Sequence, residues 1–284
     1  MSEIIKISII AFLGLVFGSF VNAWVWRLSQ TLDTDGNTKK LPTKKKKELS
    51  ILTGRSMCPS CKHVLAAKDL VPVFSWAFLK GKCRYCTAKI NPQYPAVELL
   101  TAVLFIISGV AWNFNNTLDY VSFACWLGVL TGFVALAIYD IKYMLLPDKI
   151  LMVIFPLAVI IAVIGVINSN SSLTYTILQL LLAVFVACGL FYILYVLSAG
   201  AWIGGGDVKL GVVLGFVLST ALMSVLMLFI ASILGVIASI IINRGFQKKA
   251  KIPFGPFLIV GTYITVLYGG GILDWYINLL TYGL

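Results

Sequence analysis

Charge is what this chain lacks most. Only 12% of its 284 residues are charged, against 60% hydrophobic, and the mean hydropathy is +0.97. A soluble domain averages about 25% charged and about 45–50% apolar residues, so the scarcity excludes a water-surrounded globular domain and points to an integral membrane protein. Acidic residues number 11, and histidine is nearly absent, with His63 alone. No cleavable signal peptide is evident, because the first apolar run, Ile4 to about Trp26, is long enough to span a bilayer. There is no internal repeat. A complete G-x-G-x-x-G or Walker pattern is also missing, which argues against a phosphate-cradling turn.

What is plentiful is positive charge, with 22 Lys and Arg and a net charge of +11. Most of these cations fall between Arg27 and Lys89, including the run Lys44–Lys47. The others are Lys6, Lys142, Lys149, Lys209, Arg244, Lys248, Lys249 and Lys251. If apolar spans alternate sides, all but Lys6 share one face, which the positive-inside rule names as cytoplasmic. The charge therefore reports topology, and no nucleic-acid partner is expected.

Apolar runs give about eight spans, starting near residues 4, 95, 119, 149, 174, 208, 220 and 254. The breaks Asn115-Asn116-Thr117 and Asn168–Ser172 hold no Lys or Arg and should lie outside, as should both termini. Val208–Ser219 is shorter than the roughly 17–25 residues that span comfortably. The expected fold is an all-α polytopic membrane protein with a small cytoplasmic, zinc-ribbon-like insert between the first two helices. The expected division is residues 1–28, a first helix; 29–95, a polar linker and insert; 96–118, a second helix and outer loop; and 119–284, a six-helix domain.

Four of the six cysteines form Cys58-Pro59-Ser60-Cys61 and Cys83-Arg84-Tyr85-Cys86. Two C-x2-C knuckles at this separation close a tetrahedron of thiolates around Zn2+. A segment this small draws its stability from metal rather than from a large core. Two disulfides are the competing reading, disfavoured on a cytoplasmic face. Four cysteines leave no open coordination position, so the zinc is structural. His63 reads either as an alternative ligand or as a surface residue of the first knuckle, while Cys125 and Cys188 read as small core residues.

Two carboxylates occupy places a bilayer penalises, Asp140 at the end of the third span and Asp207 after Gly204-Gly205-Gly206. A helix C-terminus repels an anion, so Asp140 needs another reason to be there. Asp148, beside Pro147 at the start of the next helix, reads as a cap. The three glycines let a substrate backbone approach Asp207 closely. Two such carboxyls can divide acid and base duties.

Gly204-x-Gly206-Asp207, with Asp140, resembles the signature of GxGD intramembrane aspartyl peptidases. More narrowly, the chain resembles the bacterial type IV prepilin peptidases of the bifunctional leader peptidase and N-methyltransferase type. The resemblance rests also on Gly18-Ser19-Phe20-Val21-Asn22 with Arg27-Leu28 and on Arg55 through both cysteine pairs. It extends to Tyr94-Pro95-Ala96-Val97-Glu98 and Pro253-Phe254-Gly255-Pro256-Phe257, and so covers nearly the whole chain. Gln93 stands where an Arg commonly precedes the Tyr-Pro pair.

The resemblance implies Asp140 and Asp207 as catalytic residues, with Gly204, Gly206 and Lys209 in the active-site loop. It implies prepilin or pseudopilin substrates cut between a basic leader and a membrane-inserted segment. The new N-terminus would then be methylated from S-adenosylmethionine. Glu98 reads either as a grip on the substrate amine or as an interfacial partner of Lys89. Asn22 and Arg27 read either as substrate-positioning residues or as anchors of the first helix. The rival functions are a proton or cation transporter using the aspartates as a relay, and a membrane scaffold docking partners through its zinc ribbon.

Overall fold

The computed structural model describes residues 3–33, 36–51, 53–201, 203–242 and 252–283; Trp202, Arg244, Lys248, Lys249 and Lys251 lie outside the described residues. Among the described residues the regular elements are all helical, and β-pairing is limited to isolated bridges. The chain divides into two units, Met1–Trp112 and Asn113–Leu284.

The first unit is built on α1 (Glu3–Thr31) packed against α4 (Gln93–Ala111). Gly14 and Gly18, one turn apart on α1, make that packing close. A methyl added at Gly14 would fall 2.5 Å from Ala102 Cα, and one at Gly18 would fall 2.6 Å from Glu98 Cα. Small residues at this spacing bring membrane helices into backbone contact. Val21, Trp24, Val25 and Leu28 continue a buried stripe at helical spacing, while Ile4, Phe12 and Val16 face outward.

Between α1 and α4 lie the short helices α2 (Thr43–Glu48) and α3 (Phe74–Phe78) and two similar turns. In the first turn the Cys58 amide donates to His63 O and the Lys62 amide to Cys58 O. In the second, the Cys83 amide donates to Ala88 O and the Thr87 amide to Cys83 O. Lys62 and Thr87, each following the second cysteine of its pair, take left-handed φ values of 57° and 58°. Two chemically unrelated residues thus adopt the same uncommon conformation at the same step, as expected of paired knuckles.

The second unit contains α5 (Thr117–Tyr143), α6 (Asp148–Asn168), α7 (Leu173–Leu197), α8 (Gly205–Leu218), α9 (Ala221–Ile242) and α10 (Gly255–Tyr282). Their starts match the expected spans closely. Asn116 caps α5 by accepting from the Asp119 amide, and Asp119 accepts in return from the Asn116 amide. Asn168 at the end of α6 donates to Asp119, so one polar cluster closes both helices.

Seven helices among the described residues are long and apolar enough to cross a membrane. The exception is α8, whose 14 residues rise about 21 Å. It is nonetheless well buried, at Leu210, Val213, Leu214, Val217 and Leu218. Gly211 and Gly215 place its backbone against α7, where an added methyl would fall 2.5 Å from Ala187 O or Val184 Cα. Among the described residues the two units thus hold eight apolar helices, two in the first and six in the second, one of the six short and packed among longer neighbours.

Candidate active site and cysteine cluster

Three helix ends of the second unit build the carboxylate site. Asp140 occupies the last turn of α5 and is 5% exposed. Met144 ends that helix in a left-handed conformation, its amide returning to Asp140 O at 2.8 Å. The chain then turns through Leu146 and Pro147 into α6. Asp207 lies in the first turn of α8, where its carboxylate accepts from the Gly204 amide. Placement at a helix N-terminus is favourable for an anion.

Asp140 sits at the unfavourable end of its own helix, and its compensation comes from another. The Gly255 amide, at the N-terminus of α10, donates to the Asp140 carboxylate. Glycine keeps the approach close, since an added methyl would lie 2.6 Å from Asp140 Oδ2 and displace the carboxylate. Leu146 lies against both Gly206 and Gly255; methyls on those glycines would fall 3.0 Å and 3.3 Å from its side-chain carbons. The negative charge of Asp207 acts directly on Asp140. Two carboxylates from distant stretches of sequence thus share one small site, each held by the amide of a helix N-terminus.

Lys209 points elsewhere: its Nζ binds both Asp148 oxygens at 2.8 Å. The pair is more than half exposed and ties the start of α6 to the start of α8. Asp148 is the first residue of α6, with Pro147 as its N-cap. The Gly255 amide was the part of the site that sequence reasoning missed. Its signal was Phe254-Gly255-Pro256, a glycine beside a proline in the first turn.

In the first unit Cys58, Cys61, Cys83 and Cys86 converge, with all four Sγ atoms within 4.8 Å of one another and Cys58 and Cys86 at 3.9 Å. No disulfide joins them. Zn–S bonds of about 2.3 Å in a tetrahedron separate sulfurs by about 3.8 Å, so the cluster fits zinc with little contraction. The Ala88 amide draws the Cys86 thiol down, but desolvation and the three neighbouring sulfurs prevail and push it up to about 11. So many thiols can ionise together only around a cation.

His63 is not part of the cluster; its ring lies against that of Tyr85, centroids 3.7 Å apart and tilted by 32°. Asp69 ties the segment between the knuckles to the second of them. Its carboxylate accepts from Arg84 Nε at 2.7 Å and Tyr85 Oη at 2.9 Å. Burial works to raise Asp69, and the bonds from Arg84, Tyr85 and the Ala66 amide overcome it and leave it below its ordinary value.

The three polar residues of α1 and α4 each bond to backbone outside their own helix or at its start. Arg27 donates to the carbonyls of Ser50 (2.8 Å), Ile51 (3.3 Å) and Gly54 (3.0 Å). Asn22 donates to Tyr94 O at 3.0 Å. Glu98 accepts from the Val73 amide at 2.7 Å and from Ser19. Neither reading of Glu98 anticipated these partners. Val73 takes a left-handed φ of 61°, which is uncommon for a β-branched residue.

These features define a class: a polytopic helical membrane protein with a carboxylate pair in one unit and a four-thiol cluster in the other. Comparison with known proteins narrows it. The chain belongs to the type IV leader peptidase family, whose model matches residues 126–240, while residues 12–114 match the bacterial peptidase A24 N-terminal domain. It is 31% identical to the prepilin leader peptidase/N-methyltransferase of Bacillus subtilis (strain 168), over 81% of this chain and 88% of that one. It is 32% identical to the protein of the same name from Dichelobacter nodosus, over 91% and 90%. A third relative is the type 4 prepilin-like proteins leader peptide-processing enzyme of Escherichia coli O78:H11, 31% identical over 89% and 90%. No solved structure matches the chain at a significant level.

Proposed function

We propose that this chain is a membrane-embedded aspartyl endopeptidase that removes the short basic leader from type IV prepilins or pseudopilins and then N-methylates the new terminus. The observation that carries the peptidase reading is the shared site of Asp140 and Asp207, together with membership of the leader peptidase family.

One carboxylate, ionised, takes a proton from water as the water oxygen attacks the scissile carbonyl carbon. The other, protonated, donates to the carbonyl oxygen. The tetrahedral intermediate collapses, the C–N bond breaks, and the departing amine receives a proton. The two carboxyls act as a coupled pair, so acid and base are properties of the pair. Gly204 and Gly206 leave room for a substrate backbone beside Asp207.

The distribution of Lys and Arg supports a site and an insert on the cytoplasmic side of the bacterial inner membrane, with both termini outside. The cysteine cluster holds a structural zinc. S-adenosylmethionine, when bound, supplies a methyl group on a sulfonium; the amine nitrogen takes it, gives up a proton, and leaves a neutral thioether behind.

The test is cleavage of a prepilin-like substrate by detergent-purified protein. Asp140→Asn and Asp207→Asn should each lower cleavage by roughly 10^2–10^4-fold with the helical fold retained. Equal cleavage by the wild type and both variants would remove these residues from the mechanism. Ion flux without cleavage would move the aspartates to a transport relay.

A further inference from the structure

The insert turns an apolar face outward. Phe74 and Phe78, one helical turn apart on α3, are 58% and 83% exposed, and Val71 just before them is exposed as well. Trp76, on the opposite side of α3, is fixed by its Nε1–H donating to Ile90 O at 3.3 Å. Two phenyl rings left in water forgo a large apolar burial, and contiguous apolar exposure of this kind marks a contact surface. No part of the proteolytic mechanism uses it.

Two observations specify what it meets. The first is depth. The Val73 amide donates to Glu98 Oε2 at 2.7 Å, so the start of α3 lies one side chain away from the second turn of α4. Leu99, the next residue along α4, is half exposed on a helix apolar enough to cross a membrane, and that face meets lipid. Phe74 follows Val73 directly. Its amide returns to Pro72 O at 2.6 Å, closing a strained three-residue turn about Val73. The phenyl face is thus tethered at the level where lipid begins.

The second observation is charge. Residues 55–92 carry seven Lys and Arg against one carboxylate, Asp69, which Arg84 already engages. Lys80 and Lys82 follow α3 at once, are exposed, and form no ion pair among the described residues. Lys82 bridges to Lys89, which brings a third cation beside them. Aromatic side chains flanked by lysines suit the boundary between acyl chains and anionic headgroups.

We propose that the insert docks on the surface of an anionic bilayer, with Phe74 and Phe78 entering the headgroup region and Lys80 and Lys82 pairing with phospholipid phosphates. This holds independently of the peptidase and methyl-transfer readings.

The test uses full-length, zinc-loaded protein with photoreactive benzoylphenylalanine in place of Phe78. It is reconstituted into vesicles of phosphatidylcholine, or of phosphatidylcholine and phosphatidylglycerol in equal parts, and irradiated. Mass spectrometry of the peptide containing position 78 should find phospholipid adducts, several-fold more abundant in the mixed vesicles. Lys80→Gln with Lys82→Gln should weaken docking on the mixed vesicles by about 5-fold per lysine, with zinc content unchanged. The wild type supplies a second reading. Trypsin should cut after Lys80 and Lys82 more slowly in mixed vesicles than in phosphatidylcholine alone, and Phe78→Ser should abolish that difference. If the photoreactive protein loses zinc, the trypsin rates decide the matter.

Adducts to residues 113–284 would mean that the face docks within the chain, and adducts formed only when a pilin is present would mean that it docks substrate. Either result overturns the proposal, as would equal adduct yields and equal trypsin rates in the two kinds of vesicle.

Discussion

The two units solve one problem, holding reactive polar groups in a largely apolar chain, by opposite means. In Asn113–Leu284 long helices form the frame, and the carboxylates take amides from helix N-termini, Asp207 from its own helix and Asp140 from another. Gly255 of α10 serves Asp140 of α5 in this way. In Met1–Trp112 the insert has little core of its own. Its four sulfurs converge, Asp69 grips the second knuckle, and Arg27 and Glu98 reach out of α1 and α4 to its backbone. The first strategy depends on packing to a fraction of an ångström, and the second on charge and metal. They should therefore fail under different insults.

Removing the metal should produce the largest difference. Zinc binding contributes on the order of 10 kcal/mol or more to small cysteine domains. A strong chelator, or Cys58→Ser with Cys83→Ser, should unfold the insert while α5 to α10 stay protected. Limited proteolysis should then cut within residues 53–92, and metal analysis should find one zinc per chain beforehand. Equal protection of the insert with and without metal would dissolve the contrast.

Arg27→Met should come next. It leaves the carbonyls of Ser50, Ile51 and Gly54 without their donor, at a cost of about 2–3 kcal/mol. The expected sign is cleavage of the 50–54 segment by added protease, with the second unit's melting unchanged.

Gly255→Ala tests the packing strategy. Its methyl would press on Asp140 Oδ2, an overpacking of about 1–3 kcal/mol, and should lower leader cleavage by roughly 10–100-fold without altering zinc content. Gly270→Ala is the control, because nothing lies within 4 Å of a methyl there. Asp148→Asn should have the smallest effect, below about 1 kcal/mol in thermal unfolding, because its pair with Lys209 is open to solvent.

Helix positions were legible because lipid demands long apolar runs, and the breaks at Asn115–Thr117 and Asn168–Ser172 carry their own capping chemistry. The aspartates were legible for the complementary reason, as charges where charge is costly. The four cysteines announced by spacing alone that their sulfurs would converge. What escaped was everything a backbone does at long range. An amide such as Gly255 or Val73 has no sequence identity, and its bond to Asp140 or Glu98 exists only once distant helices have packed. The partner of Lys209 escaped for a related reason: its nearness in sequence to Asp207 says nothing of the bond it makes to Asp148. Val208–Ser219 looked like a deficient span, and the glycines that make it a sound short helix act through contacts with α7.

That short helix also bears on the depth at which Asp207 sits. Only Ser219 and Thr220 separate α8 from α9, so the two helices meet at one surface of the bilayer. Set upright beside α9, α8 climbs about 21 Å of a hydrocarbon slab about 30 Å thick. The missing 9 Å or so must all fall at the opposite end, above Asp207. At that depth Asp207 would meet water only where the slab thins or the helices leave a recess over the start of α8, and a peptide bond would reach the carboxylates by that opening.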